Sequence, residues 1–167
     1  MASRDYEEFI AVLNDHGVRY LIVGAHAVAF HARPRATKDL DILLEPTPAN
    51  ARRVLAALRE FFGGTDLGYA VTDLTNPRWI IQLGIAPLRI DLLSQLPGCP
   101  NFQAVWKNRV KARFGSVPAC YLGLEDLMRN KEASGRGQDL VDVRFLRYAR
   151  KATPKGRRKS RRLRKRK

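Results

Sequence analysis

"RATKDLDILLEPT", residues 35–47, decides how the rest of the chain is read. Asp39 and Asp41 stand two residues apart, set among Leu40, Ile42, Leu43 and Leu44. The apolar run reads as a strand, in which residues i and i+2 point to the same face. The two carboxylates therefore project side by side and repel, which costs free energy unless something positive sits between them. A divalent cation meets that need. So does a basic side chain, and Arg35, Lys38 and Arg89 are near in sequence. A third acid, Asp91, interrupts the apolar strand-like run "LRIDLLS" at 88–94. An unpaired carboxylate is expensive to bury, so isolated acids at strand positions argue against a plain core. If the two strands are neighbours, Asp39, Asp41 and Asp91 converge on one point. Hard oxygen ligands of this kind suit Mg²⁺ or Mn²⁺, which take a few carboxylates plus substrate phosphates.

Outward from this stretch, the pattern alternates between helix and strand. Toward the N-terminus, residues 3–16 place Tyr6, Phe9, Ile10 and Leu13 at helical spacing, and Gly17 stops the helix. "RYLIVG" (19–24) reads as a short buried strand and "AHAVAFHAR" (25–33) as a short helix ended by Pro34. Toward the C-terminus, Thr47 and Pro48 open a helix over 47–62 that Gly63 and Gly64 close. Three consecutive strands are then expected, at 69–75, 78–84 and 88–94, with a short helix over 101–109. Residues 110–122 carry no assigned element. Two helices follow, 123–134 and 137–151, divided by Gly135-Arg136-Gly137. No internal repeat is visible. The order predicts an α/β (α+β) fold: a mixed β-sheet with helices packed on it and short C-terminal helices.

A chain of 167 residues with 45% hydrophobic residues suits one domain. We expect that domain over 1–150, with its helical C-terminal part at about 121–150. Two cysteines, Cys99 and Cys120, are too few for a disulfide framework and fit a reducing compartment. There is no signal-like N-terminus and no apolar run near the ~18 residues of a membrane span, so a cytoplasmic location away from the membrane is expected. The net charge of +15 is unevenly spread: residues 151–167 hold 11 Lys or Arg and no acid, against 20 basic and 16 acidic residues elsewhere. Such a block cannot bury a core, and the expectation is a disordered tail. It suits a polyanion such as RNA, held through salt-dependent phosphate contacts. Three histidines without cysteine at ligand spacing do not make a zinc site, and His26 and His31 read as structural or surface residues. Trp79 and Trp106 read as core or domain-edge aromatics, either of which is able to stack on a base.

"LIVGAHAVAFHARPRATKDLDILL" resembles the signature of the nucleotidyltransferase superfamily, the fold of DNA polymerase beta and the minimal nucleotidyltransferases. There an apolar strand ends in Gly-Gly or Gly-Ser and enters a helix. A strand with Asp-x-Asp follows about a dozen residues on, and a later strand brings a third acid. Gly24 matches the first glycine, and Asp39, Asp41 and Asp91 match the acids. Ala25 stands where the family usually has Gly or Ser. It lacks a hydroxyl but keeps the N–H, so Gly24 and Ala25 are expected to meet a phosphate. "RPRATKDLDILL" together with "LGLEDLMRNKEASGRGQDLVDVRFL" also resembles bacterial nucleotidyltransferases related to abortive-infection toxins, through Lys131, Arg136, Asp139 and Asp142. The two resemblances cover most of residues 20–146 and leave the tail outside.

The resemblance implies a metal-dependent transferase that moves a nucleoside monophosphate from an NTP to a hydroxyl. Asp39, Asp41 and Asp91 would be the catalytic and metal-ligating acids, with Mg²⁺ or Mn²⁺. It implies that Lys131 meets a phosphate and that Asp139 orients Lys131 or an arginine. Arg33, Arg35 and Lys38, which flank the acid pair, are in place to hold the triphosphate. The acceptor is open between RNA (including tRNA) and a protein, and a toxin role would bring an antitoxin partner. The rival is a non-catalytic nucleic-acid-binding protein on the same kind of fold.

Overall fold

The structure is a computed structural model that describes residues 4–34, 37–85 and 88–152. Arg35 and most of the basic tail, 153–167, lie outside the described residues. At the centre run β2 (Asp39–Leu44) and β4 (Leu88–Leu93), parallel neighbours in register from Asp39↔Arg89 to Leu43↔Leu93. On one face Leu40, Ile42, Ile90 and Leu92 enter the core, all at most 6% exposed. The alternation then puts Asp39, Asp41, Arg89 and Asp91 on the other face.

The six-stranded sheet has the order β3-β4-β2-β1-β6-β5. β1 (Tyr20–Ile22) pairs antiparallel with β2, and β3 (Ile80–Ile85) pairs antiparallel with β4 as an edge strand. β5 (Val110–Phe114) and β6 (Val117–Tyr121) form a hairpin that joins β1 through a parallel β6. This hairpin fills the segment to which the sequence pattern assigned nothing. Gly115, at φ +56°, makes its turn, and the Glu7 carboxylate accepts from Ser116 N at 2.8 Å and Ser116 Oγ at 2.6 Å. A tertiary contact thus holds what the local sequence does not advertise.

Among the described residues, α1 (Arg4–Asp15) buries Tyr6, Phe9, Ile10 and Leu13 as the spacing predicted. α3 (Pro48–Phe61) starts at Thr47, whose hydroxyl accepts from Asn50 N at 3.3 Å. α5 (Phe102–Lys107) is capped by Asn101. One expectation is corrected: residues 69–75 are not a strand but lead into a one-turn helix, α4 (Val71–Thr75). Asp73 accepts from Ala70 N at 2.7 Å and so closes the turn, while Leu74 is buried at 3% exposure. Local capping and one buried contact outweigh the strand propensity of Tyr69 and Val71.

Two more helices frame the acid-bearing face. α2 (Gly24–His31) starts directly after β1, and α6 (Leu124–Ser134) packs on α7 (Gly137–Ala152). Gly135, at φ +64°, takes the left-handed position that ends α6 and turns the chain into α7. α2 packs on β2, α6 and α7. The N-termini of α2 and α7 both lie beside the acids, because Gly24, Ala25, Gln138 and Asp139 line the same cleft as Asp39, Asp41 and Asp91. The fold is thus the mixed sheet with packed helices that the sequence predicts. No described helix is long and apolar enough to cross a membrane, and Cys99 and Cys120 are both free thiols.

Candidate active site

A cleft of about 720 Å³ opens over the acid-bearing face. Its floor is the β2–β4 ladder. Asp41 and Asp91 are direct register partners, so their carboxylates stand on adjacent strands about 4.8 Å apart. Asp39 shares their face, one position along. Burial, and after it the negative charges of Asp91 and Asp39, push the Asp41 carboxyl up to about 6. Lys131 and Arg89 pull it the other way.

The resident counter-charge is Arg89. Its Nη2 donates to Asp39 Oδ2 at 3.0 Å and to Asp91 Oδ2 at 3.2 Å. Its Nε lies 3.0 Å from Asp91 Oδ1 as an ion pair, but out of line, so both atoms are buried without a hydrogen bond. Among the described residues, Arg89 rather than Lys38 is the basic residue near the acid pair in sequence that pairs with these acids, and Arg35 lies outside the described residues. Arg89 faces the acids because it stands opposite Asp39 in register. Tyr6 of α1 fixes this end of the two strands: its hydroxyl donates to the Lys38 carbonyl at 2.6 Å and accepts from Arg89 N at 3.2 Å.

The glycine turn closes against the acids. Gly24 has φ +61°, and a Cβ there would collide with the Asp41 carboxylate. Both facts require glycine. The first backbone N–H groups of a helix such as α2 have no intrahelical acceptor. Ala25 lines the cleft beside Gly24.

The far wall is Lys131, Asp139 and their surroundings. Lys131 Nζ binds Asp139 Oδ1 at 2.6 Å and lies 3.3 Å from Asp142 Oδ2. The three side chains are about nine-tenths buried or more. Asp139 is thus the nearer carboxylate partner of Lys131, and both line the cleft. Arg136 lines it too.

Other expected residues fall elsewhere. Lys38 is exposed and is not among the cleft-lining residues, since its neighbour Asp39 takes the site face. Arg33 stacks over the Phe145 ring at 3.5 Å, in a separate groove with Arg144 and Tyr148. His31 bonds the Leu122 carbonyl at 2.7 Å, and burial lowers its pKa. His26 sits between Tyr6 and Phe114 with its Nε2 buried and without a hydrogen bond, and burial lowers its pKa as well. Trp106 stacks on Phe102 under the guanidiniums of Arg19 and Arg109, at the edge of the core. The sequence pattern did not single out Arg78, Gln95 and Asn130, which the tertiary fold brings into the cleft. Nothing in their local sequence marks them.

The fold has known counterparts. An antigenic nucleotidyltransferase-like protein from Paracoccidioides brasiliensis superposes at TM-score 0.56 with 12% identity, over 93% of this chain and 80% of its own. A protein of Thermotoga maritima proposed to be a nucleotidyltransferase superposes at TM-score 0.52 with 13% identity, over 92% of this chain and 97% of its own. At such identity the likeness is one of fold. No curated protein matches the sequence at a significant level. The family itself is shown by sequence: residues 2–166 match the nucleotidyl transferases of unknown function called DUF2204, and the chain belongs to that family.

Proposed function

We propose that the chain is a metal-dependent nucleotidyltransferase whose site is the cleft over β2 and β4. The observation that carries this reading is the contact of Gly24 with Asp41, itself in register with Asp91. It joins a glycine turn at a helix start to a set of hard oxygen ligands.

The residues fit a divalent cation by type and position. Asp41 and Asp91 face each other on adjacent strands, and Asp91 Oδ1 is buried without a hydrogen bond. Among the described residues no three His, Cys, Asp or Glu side chains are already gathered as a metal cage. Arg89 accounts for this, since it occupies Asp39 and Asp91 and must release one of them to a cation. Asp39, Asp41 and Asp91 are the residues that would hold Mg²⁺ or Mn²⁺. A bound ion would supply charge neutralisation for the triphosphate and the leaving pyrophosphate.

The chain's own groups do the rest. The N–H groups of the Gly24–Ala25 turn hold a phosphate, Arg136 adds positive charge along the cleft, and Lys131, held by Asp139 and Asp142, reaches a phosphate only by sharing its ammonium with them. The acceptor hydroxyl attacks the α-phosphorus, the bond to the β-phosphate bridging oxygen breaks, and pyrophosphate leaves. Asp91, beside the attacking oxygen, takes the hydroxyl proton. The acceptor we favour is RNA, because the basic C-terminal residues suit phosphate contact. A protein hydroxyl is the other class.

The test is incubation with each radiolabelled NTP, Mn²⁺ or Mg²⁺ and total RNA, beside the Asp39→Asn/Asp41→Asn double variant. Label entering RNA or protein with the wild type alone supports the reading; equal label with both refutes it. A toxin role predicts growth arrest on expression that the same double variant relieves, and an antitoxin partner that restores growth. Arg89 favours a second reading, because a guanidinium already neutralises two of the acids. This is the non-catalytic nucleic-acid-binding protein, which predicts RNA binding with no metal-dependent nucleotide binding.

A further inference from the structure

We propose that Trp79, backed by Ile80, is the platform on which the nucleotidyltransferase site binds the base of a nucleoside triphosphate, by its face. The proposal rests on the nucleotidyltransferase reading and adds the subsite that reading leaves open.

Trp79 is 54% exposed and Ile80 56% exposed, and both line the acid-bearing cleft. Large apolar side chains are seldom left bare inside a polar cleft unless something covers them. The register explains their place. Gln82 stands opposite Asp91 and Ile80 opposite Leu93, so Ile80 shares the acid-bearing face. It lies one strand out and two residues along from Asp91, about 8 Å away in a flat ladder. Trp79 is the next residue outward. A ligand with its phosphates at the acids and the Gly24 turn therefore extends toward the indole.

The backbone that carries the indole is also held. The Asn76 carbonyl accepts from Trp79 N at 3.2 Å and from Ser94 Oγ at 2.8 Å, while Asn76 Oδ1 accepts from Arg78 N at 3.0 Å. Pro77, inside this turn, restricts the backbone further. A backbone held this way needs little reordering when a ligand stacks on the side chain it carries. Trp106 shows the contrast: its ring is engaged by Phe102 and two arginines, whereas no ring or cation contact to Trp79 occurs among the described residues. Arg78 and Arg136 line the same cleft and give the charge that a triphosphate needs and that an apolar peptide does not. Stacking on an indole reads the face common to all bases, so discrimination among the four is weak.

The chain has two tryptophans, so Trp106→Phe leaves Trp79 as the only indole reporter. In that background, α,β-methylene analogues of the four NTPs, with Mn²⁺, are titrated against tripolyphosphate, which has no base. The expected result is quenching by every nucleotide and none by tripolyphosphate. By calorimetry on the full chain, Trp79→Ala weakens nucleotide binding roughly 5- to 150-fold. Trp79→Phe retains most of it, and tripolyphosphate affinity stays unchanged in both. Equal nucleotide affinity in wild type and Trp79→Ala overturns the platform. So does a parallel loss of tripolyphosphate, which would mean a structural role, and so does a Trp79→Ala change in oligomeric state with nucleotide affinity intact. If neither nucleotide nor tripolyphosphate binds the wild type, the nucleotidyltransferase reading itself falls, and the platform with it.

Discussion

Burial beside Asp91 and Asp39 pushes the Asp41 carboxyl up to about 6, against 3.8 for the free group. Between those two values the folded chain keeps a proton that the unfolded chain has released. Stability therefore falls as pH rises through this window, and the whole penalty stands above pH 6. Two pH units correspond to at most about 3 kcal/mol. Asp41→Asn removes the penalty. Without divalent ions it should melt several degrees above the wild type at pH 8 and level with it near pH 4, by calorimetry. The same variant should lose nucleotide transfer, which would identify Asp41 as a residue kept for use at a cost to the fold. Arg89 predicts a complementary effect. Arg89→Gln frees Asp39 and Asp91 of their guanidinium, so Mn²⁺ should bind roughly tenfold tighter by isothermal titration, the worth of about one charged hydrogen bond. Unchanged or weaker Mn²⁺ binding would show that the guanidinium does not compete for these oxygens.

At the scale of elements, the β1–α2 turn and the α6–α7 pair carry the site. Gly24→Ala would put a Cβ into the Asp41 carboxylate at a positive φ. A cost of about 1–3 kcal/mol is expected, read as a lower urea midpoint together with lost nucleotide binding. Ala25→Ser alters only the side chain, so an unchanged urea midpoint is expected. Lys131 ties α6 to α7 through Asp139 and Asp142. Lys131→Met would leave those two acids buried without their cation, at about 3–5 kcal/mol. Urea unfolding measures this; a loss below ~1 kcal/mol would mean that water reaches the carboxylates. The amphipathic helices α1, α3, α6 and α7 were legible in the sequence because periodicity and caps are local signals. The 69–75 segment was misread because the Asp73 turn and the burial of Leu74 outweigh its strand propensity. The β5–β6 hairpin was invisible because Glu7, more than 100 residues away, secures its turn.

Across the whole molecule, charge is divided between a mildly basic folded part and a strongly basic C-terminal stretch. If that stretch serves only to contact polyanions, a chain ended after Ala152 should melt at the same temperature as the full one. Its RNA retention should drop, and the salt slope of log K with it; filter binding between 50 and 200 mM salt reads both. Retention equal to the full chain's would place RNA contact on the folded part.

Asp39, Asp41 and Asp91 stood out in the sequence because isolated charges in apolar strand-like runs are a local pattern, and Gly24 stood out through the resemblance to the nucleotidyltransferase signature. The amino-acid order by itself determined the helices, the apolar strands and the type of ligand atom the chain offers. Only the tertiary structure decided that β2 and β4 are parallel neighbours, that Asp41 meets Asp91, and that Arg89 takes the counter-charge while Arg33 goes to Phe145. It alone brought Trp79 to the cleft. These are pairings between residues tens of positions apart, and strand register, which sets them, depends on how the whole sheet buries its apolar face.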